Sequence, residues 1–176
     1  MKTNITLICL LEGFSKNIGK LLCEKLEMFF VDVEDMIDFE LGDTEHILKV
    51  LGNKEGKKYM KDTEAKVIKR IASFENSLVC IKPSTLFSNR NYDRLSKTSY
   101  VVYLQISPKY LSKIAEESKD IIDEKMLTVA FTEKDKIYVD SSDMVVNCST
   151  LKEKKAVKKI MSTINKFFKK SKKEEK

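Results

Sequence analysis

ITLICLLEGFSKNIGKLLCEKL, Ile5 to Leu26, decides how the rest of the chain is read. Five of the seven residues from Ile5 to Leu11 are Ile or Leu. A short unbroken apolar run of this kind suits a strand covered on both faces. Ile18, Leu21, Leu22 and Leu26 then recur at helical spacing, which predicts an amphipathic helix. Between strand and helix, Glu12-Gly-Phe-Ser-Lys-Asn17 reads as a tight loop. A strand, a loop and a helix in this order is where a phosphate-binding cradle is built.

The same alternation continues outward. Phe29 to Val31 predicts a second strand, Ser77 to Ile81 a third, Tyr100 to Ile106 a fourth and Met144 to Cys148 a fifth. Helical patterns lie between them. Asp43 or Thr44 caps a helix through Leu51, with Ile47, Leu48 and Leu51 inward, and Gly52 and Gly56 bracket a turn. Val67, Ile68, Ile71 and Ala72 form the core face of the next helix. Ser107-Pro108 opens another, since proline suits the first helical position. Thr150 and Glu153 fit a capping box before a final amphipathic helix with Val157, Ile160, Met161, Ile164, Phe167 and Phe168 on one side. Buried strands alternating with helices predict an α/β fold, a five-stranded parallel sheet between helical layers.

Composition sets the remaining bounds. The chain has 176 residues, 42% hydrophobic and 34% charged, which suits one soluble domain with a proper core. No apolar run approaches the length of about 20 residues that a membrane span needs. Glu12 interrupts the first apolar run and no small-residue cleavage site follows, so a secretory signal is not expected. Cys9, Cys23, Cys80 and Cys148 form no CxxC pair and read as small reduced core residues, which places the chain in the cytoplasm. No metal site is expected, because ligand spacing is absent and His46, read as a structural histidine, is the sole histidine. The formal charge of +6 is uneven: Lys152 to Lys176 holds eleven lysines against three glutamates, leaving −2 for everything before it. The body is therefore no basic nucleic-acid surface, and nucleic acid is not an expected partner. The tail 169–176 reads as a disordered basic end, either simply solvated or touching a polyanion.

The chain resembles the shikimate kinases, small P-loop kinases, in ICLLEGFSKNIGKLLCEKL followed by FFVDVED. That family typically shows GLMGSGKSTIGK at the loop, LLAEKL in the helix, and a strand ending in Asp-Thr-Asp. The frame matches, including Ile18-Gly19-Lys20 and Asp32. The loop does not. In an ungapped register Cys9, Glu12 and Phe14 stand for three glycines, Ser15 for the lysine, and Lys16 and Asn17 for the Ser/Thr pair. A slipped register instead brings Lys16 to the lysine's place. Glycines let backbone N–H groups approach phosphates, and the lysine neutralises the β/γ charge. The resemblance assigns nucleotide contact, in degenerate form, to Gly13, Ser15, Lys16 and Asn17. It assigns a lid at about 116–134, with Lys125 in Lys125-Met-Leu-Thr128 as its nearest cation.

The resemblance implies further roles. Asp32 lies near the Mg²⁺ shell and is the catalytic residue if the chain is active, whereas read alone Asp32 and Glu34 simply begin a helix. Glu34 faces substrate hydroxyls, one methylene longer than the family's Asp. Gly56-Lys-Lys-Tyr-Met-Lys-Asp-Thr-Glu64 resembles GExxFRxxE, so Lys61 stands for the arginine that grips the substrate carboxylate, without its planar fork. Lys82-Pro83-Ser84 replaces a Gly-Gly-Gly segment. Lys134 and Tyr138 match an Arg-x-x-x-Tyr segment. The expectation is a single shikimate-kinase-like domain over 1–168, a pseudoenzyme that binds a small molecule in the inherited cleft or a protein partner. Its alternative is a divergent active kinase. No cofactor is expected unless the kinase reading holds, in which case ATP and Mg²⁺ are.

Overall fold

The computed structural model describes residues 2–88, 90–110, 124–149 and 152–174, without the side chains of Glu12, 124–128, 130 and 171–174. The strands are β1 (Asn4–Ile8), β2 (Phe29–Asp32), β3 (Ser77–Ile81), β4 (Ser99–Gln105) and β5 (Met144–Asn147). The helices, in chain order, are α1 (Glu12–Leu26), α2 (Val33–Leu41), α3 (Thr44–Ile71), α4 (Pro83–Leu86), α5 (Asn91–Leu95), α6 (Glu124–Asp140) and α7 (Glu153–Glu174).

The five strands form one all-parallel sheet in the order β2-β3-β1-β4-β5. β1 is central: Ile5 pairs with Leu78 on one side and Tyr100 on the other. Because side chains alternate along a strand, the sheet has two apolar faces. Leu7, Leu78, Cys80, Val102 and Leu104 pack with Ile18 and Leu22 of α1 and Val157, Ile160 and Ile164 of α7. Val31, Val79, Ile81, Val101 and Tyr103 pack with Val67, Ile68 and Ile71 of α3, Leu95 of α5 and Tyr138 of α6. The result is a three-layer sandwich. α1 lies close against β3 because Gly19 has no side chain: a Cβ there would sit 2.6 Å from the Cys80 sulfur and 2.8 Å from the Phe30 ring.

Several expectations change. β1 stops at Ile8, and Leu10 and Leu11 pack at the edge of the core instead of extending the strand. The expected loop Glu12–Asn17 is helical from its first residue. The turn expected between Gly52 and Gly56 is a kink inside one long helix, with Gly52 at φ +75° and Gly56 buried. That kink swings Leu51 outward, so it is exposed rather than inward. α7 continues to Glu174, past Phe168 and through most of the segment expected to be disordered. Phe167 and Phe168 stack edge-on against Tyr100, which ties the late part of α7 to the sheet. The helix opened by Pro108 is present at 108–110. The lid segment 116–123 and Thr150 of the capping box lie outside the described residues.

Candidate functional site

In a parallel α/β sheet the crevice opens at the carboxyl ends of the strands, where the order reverses on either side of the central strand. Here that is the end of β1 with its neighbours β3 and β2. Three segments converge on it: the start of α1, the β2–α2 junction, and the residues after β3.

α1 starts at Glu12 because nothing after Gly13 resists a helix. Phe14, Ser15, Lys16 and Asn17 are followed by Ile18, Leu21 and Leu22, whose burial fixes the helix register. The N-cap is Leu11, which offers no side-chain acceptor. The Ser15 N–H already donates to the Leu11 carbonyl at 3.1 Å, so the backbone from Ser15 onward is committed to the helix. This places Lys16 in the second turn, facing the end of β2.

Asp32 is the last residue of β2 and the N-cap of α2. Its Oδ1 accepts the Asp35 N–H at 3.0 Å. Its Oδ2 lies 3.2 Å from the Lys16 ammonium, which also donates to Asp35 Oδ1 at 2.8 Å. The Asp32 side chain is 5% exposed, that of Lys16 26% and that of Asp35 67%. Lys16 therefore bridges one buried and one exposed carboxylate. The hydrogen bond to Asp35, reinforced by Asp32, holds its proton more tightly than usual against the opposing effect of burial.

Glu34, in the first turn of α2, is held by the segment after β3. Its two oxygens lie 3.2 and 3.3 Å from the Lys82 nitrogen and accept its N–H. Burial pushes the Glu34 carboxyl above its ordinary range, opposed by the bond from Lys82 and one from the Thr85 hydroxyl. The carboxylate thus caps the start of α4, whose N-cap Lys82 provides no side-chain cap of its own. Lys82-Pro83-Ser84 is a capped helix start rather than an open backbone.

The other candidate residues are dispersed. Gly13 is exposed with open space around it. Ser15 is buried, and its carbonyl accepts from the Cys80 thiol at 3.4 Å. Asn17 donates to Glu153 at 2.9 Å and so joins α1 to the start of α7. Lys61 is exposed on α3 beside Lys54, Lys57 and Lys58 and makes no bond to Glu34. Lys134 is exposed on α6. Lys125 lies in α6, and its side chain falls outside the described residues. His46 is exposed, and its N–H donates to the Asp43 cap at 2.9 Å. Burial raises the Cys9 thiol to about 12 and those of Cys23 and Cys148 to about 11, as suits core residues rather than nucleophiles. Among the described residues no cluster of three metal-ligating side chains occurs, and no helix is long and apolar enough to cross a membrane.

Sequence reasoning missed three participants: Asp35, the Lys82 N–H and Asp135. Asp35 was legible as the position three residues after an N-cap. The Lys82 amide carried no sequence signal. Asp135 of α6 accepts from the buried Tyr103 hydroxyl at 2.9 Å and from Gln105 at 2.9 and 3.0 Å, latching α6 to β4.

A family model described as shikimate kinase matches residues 16–165. Among curated proteins, the shikimate kinase of Symbiobacterium thermophilum is 27% identical over 108 residues, 61% of this chain and 60% of that protein. That of Wigglesworthia glossinidia brevipalpis is 25% identical over 171 residues, 93% of this chain and 96% of that protein. Among solved structures, the Acinetobacter baumannii shikimate kinase in complex with shikimate superposes with a TM-score of 0.76 at 18% identity, covering 94% of each chain. The Bacteroides thetaiotaomicron enzyme gives 0.72 at 15% identity, over 93% of this chain and 98% of that one. At these identities the structural likeness speaks for the fold.

Proposed function

The chain belongs to the shikimate kinase family, and from that premise we propose that it keeps the family's fold and crevice as a binding module without efficient phosphoryl transfer. The observation that carries this reading is the Lys16 ammonium, held 3.2 Å from Asp32 and 2.8 Å from Asp35. The resemblance puts Asp32 near the Mg²⁺ shell and, in a slipped register, Lys16 in the place of the lysine that meets the phosphates. Here the two side chains are paired with each other. The residues present do not fit ATP–Mg²⁺ as they stand: the cation would have to displace an ammonium, and the phosphates would meet a helix instead of a glycine loop. A single preorganised donor is worth on the order of 3 kcal/mol in a transition state, so the loss of a cradle is severe.

The substrate side supports the same reading. Glu34 is occupied by the Lys82 N–H. Lys61 and Lys134 stand exposed and form no ion pair with it. The ligand of the module is a small molecule in the crevice or a protein partner.

One observation favours the second reading, a divergent kinase. α1 begins without a side-chain cap, and uncapped first-turn N–H groups at the end of a parallel strand attract anions. Titration calorimetry with ATP–Mg²⁺ separates the two. The proposal expects no saturable binding in the crevice below millimolar concentrations. A micromolar dissociation constant that persists when Lys57 and Lys61 on the outer face of α3 are both replaced by glutamine, or shikimate-dependent ADP release in a coupled assay, refutes it.

A further inference from the structure

The outer face of α3 carries charge that the crevice does not use. After the kink at Gly52, Lys54, Lys57, Lys58 and Lys61 recur at helical spacing on one stripe. With Asp62, Ala65 and Arg94 of α5 they line a concavity of about 430 Å³. Five cations therefore face one carboxylate. Four of the lysine pairs stand three or four residues apart, where like charges repel across a helix surface. Among the described residues none of these four lysines has an ion pair within 4.0 Å, although Lys2, Lys16 and Arg70 elsewhere do.

The rim is anchored. Arg94 Nη1 donates to Asn91 Oδ1 at 3.3 Å. Asn91 is fully buried, and its amide donates to Glu64 at 2.7 Å and to the Thr85 carbonyl at 2.9 Å. A buried amide bonded to three groups gives the guanidinium a defined place. Arginine matches phosphate oxygens in pairs, and lysines add point charges around them.

The lining also says what is not recognised. Ala65 is its one apolar residue, and no aromatic ring is present. A nucleobase or an acyl chain has no platform, so recognition rests on charge density in a small volume. Lys16, Asp32, Glu34 and Lys82 take no part in the wall, which separates the pocket from the crevice. Lys61 is the residue that the family resemblance pairs with one carboxylate; one such group would leave most of these four lysines uncompensated.

We propose that this pocket binds a small molecule carrying two or more phosphate groups. The proposal is independent of whether the crevice retains activity. The test is calorimetry with inorganic tripolyphosphate at low ionic strength, where screening is weak. Three proteins are compared: wild type, Lys57→Gln/Lys61→Gln, and the charge-matched Lys158→Gln/Lys166→Gln on α7. Circular dichroism checks the fold, and Lys57→Arg/Lys61→Arg serves as the conservative rescue. The expected result is one saturable site, weakened by roughly tenfold or more in the α3 variant, restored in the arginine variant and unchanged in the α7 variant. Absence of saturable binding, equal weakening in the α3 and α7 variants, or failure of the arginine variant to restore binding overturns the proposal. So does displacement by an RNA oligonucleotide at lower concentration than tripolyphosphate, which assigns the face to a macromolecule.

Discussion

Replacing Lys16 by methionine keeps the aliphatic stem and removes the ammonium between Asp32 and Asp35. The arm to Asp35 involves a carboxylate that is 67% exposed, and such pairs are worth about 0–1 kcal/mol. The arm to Asp32 is different, because that carboxylate is 5% exposed. Stripping the partner from a fully buried pair costs about 3–5 kcal/mol. Lys16 is 26% exposed and Asp32 keeps its bond from the Asp35 N–H, so the expected loss is smaller. About 2–3 kcal/mol is the combined expectation, which lowers Tm by about 5–10 °C for a domain of this size. The vacated space between two carboxylates then suits a divalent cation. A Mg²⁺ concentration tenfold above its dissociation constant returns about 1.4 kcal/mol by mass action. Thermal melts with and without Mg²⁺ read both effects. The reasoning predicts a destabilised variant that Mg²⁺ rescues and a wild type that Mg²⁺ leaves alone. An unchanged Tm in the variant, or equal Mg²⁺ stabilisation of both proteins, shows that Lys16 does not stand in for a metal.

Two substitutions probe the surroundings of that ion pair. Burial raises the Glu34 carboxyl above its ordinary 4.5, so the folded chain keeps a proton that the unfolded chain has lost. Its contribution to stability is thus greatest at and below that value, and declines as pH rises through the raised one. Glu34→Gln keeps an oxygen for the Lys82 N–H and removes the titration; the variant should gain on wild type as pH rises from 4 toward neutrality, and parallel melting profiles would contradict the assignment. Gly19→Ala pushes a Cβ to 2.6 Å from the Cys80 sulfur and 2.8 Å from the Phe30 ring. Overpacking of this kind costs about 1–3 kcal/mol by denaturant titration, and a variant as stable as wild type would mean that α1 is not held tightly against β3.

The strands were legible because burial on both faces leaves an unmistakable mark. Ser77–Ile81 is strand over the span its sequence predicts, β4 departs by one residue at each end and β5 by one residue at its carboxyl end. β1 was read from Ile5 three residues past its carboxyl end, because Leu10 and Leu11 are as apolar as Leu7. Apolar content reports burial, and those two are partly buried at the edge of the core without joining the ladder. The expected inward Leu51 failed for a different reason. Its periodicity with Ile47 and Leu48 is genuine, but a positive φ at Gly52 redirects the chain next to it. In the site, residue types were readable and their partners were not. The Glu34–Lys82 bond joins residues 48 apart, and the Lys61 pocket is closed by an arginine from α5. Such pairings follow from strand order, which no local pattern carries.

On the proposed reading, the replacements after β1 act as one structural event. Without a run of glycines the segment after β1 has no reason to stay open, so the helix begins at Glu12. An early helix fixes the direction of Lys16, and that direction is toward Asp32. Once the ammonium is there, the buried Asp32 side chain serves as both ion-pair partner and cap of α2. Cap, ion pair and helix start then support each other, so restoring glycines alone would have to break all three. Glu34 is held separately by the Lys82 N–H, beyond reach of any change in residues 12–17. Glycines introduced at residues 12–17 would therefore leave Glu34 still committed to the backbone. On the proposed reading, nucleotide binding and transfer to an alcohol are therefore distinct requirements, and the second involves the Pro83 segment as well.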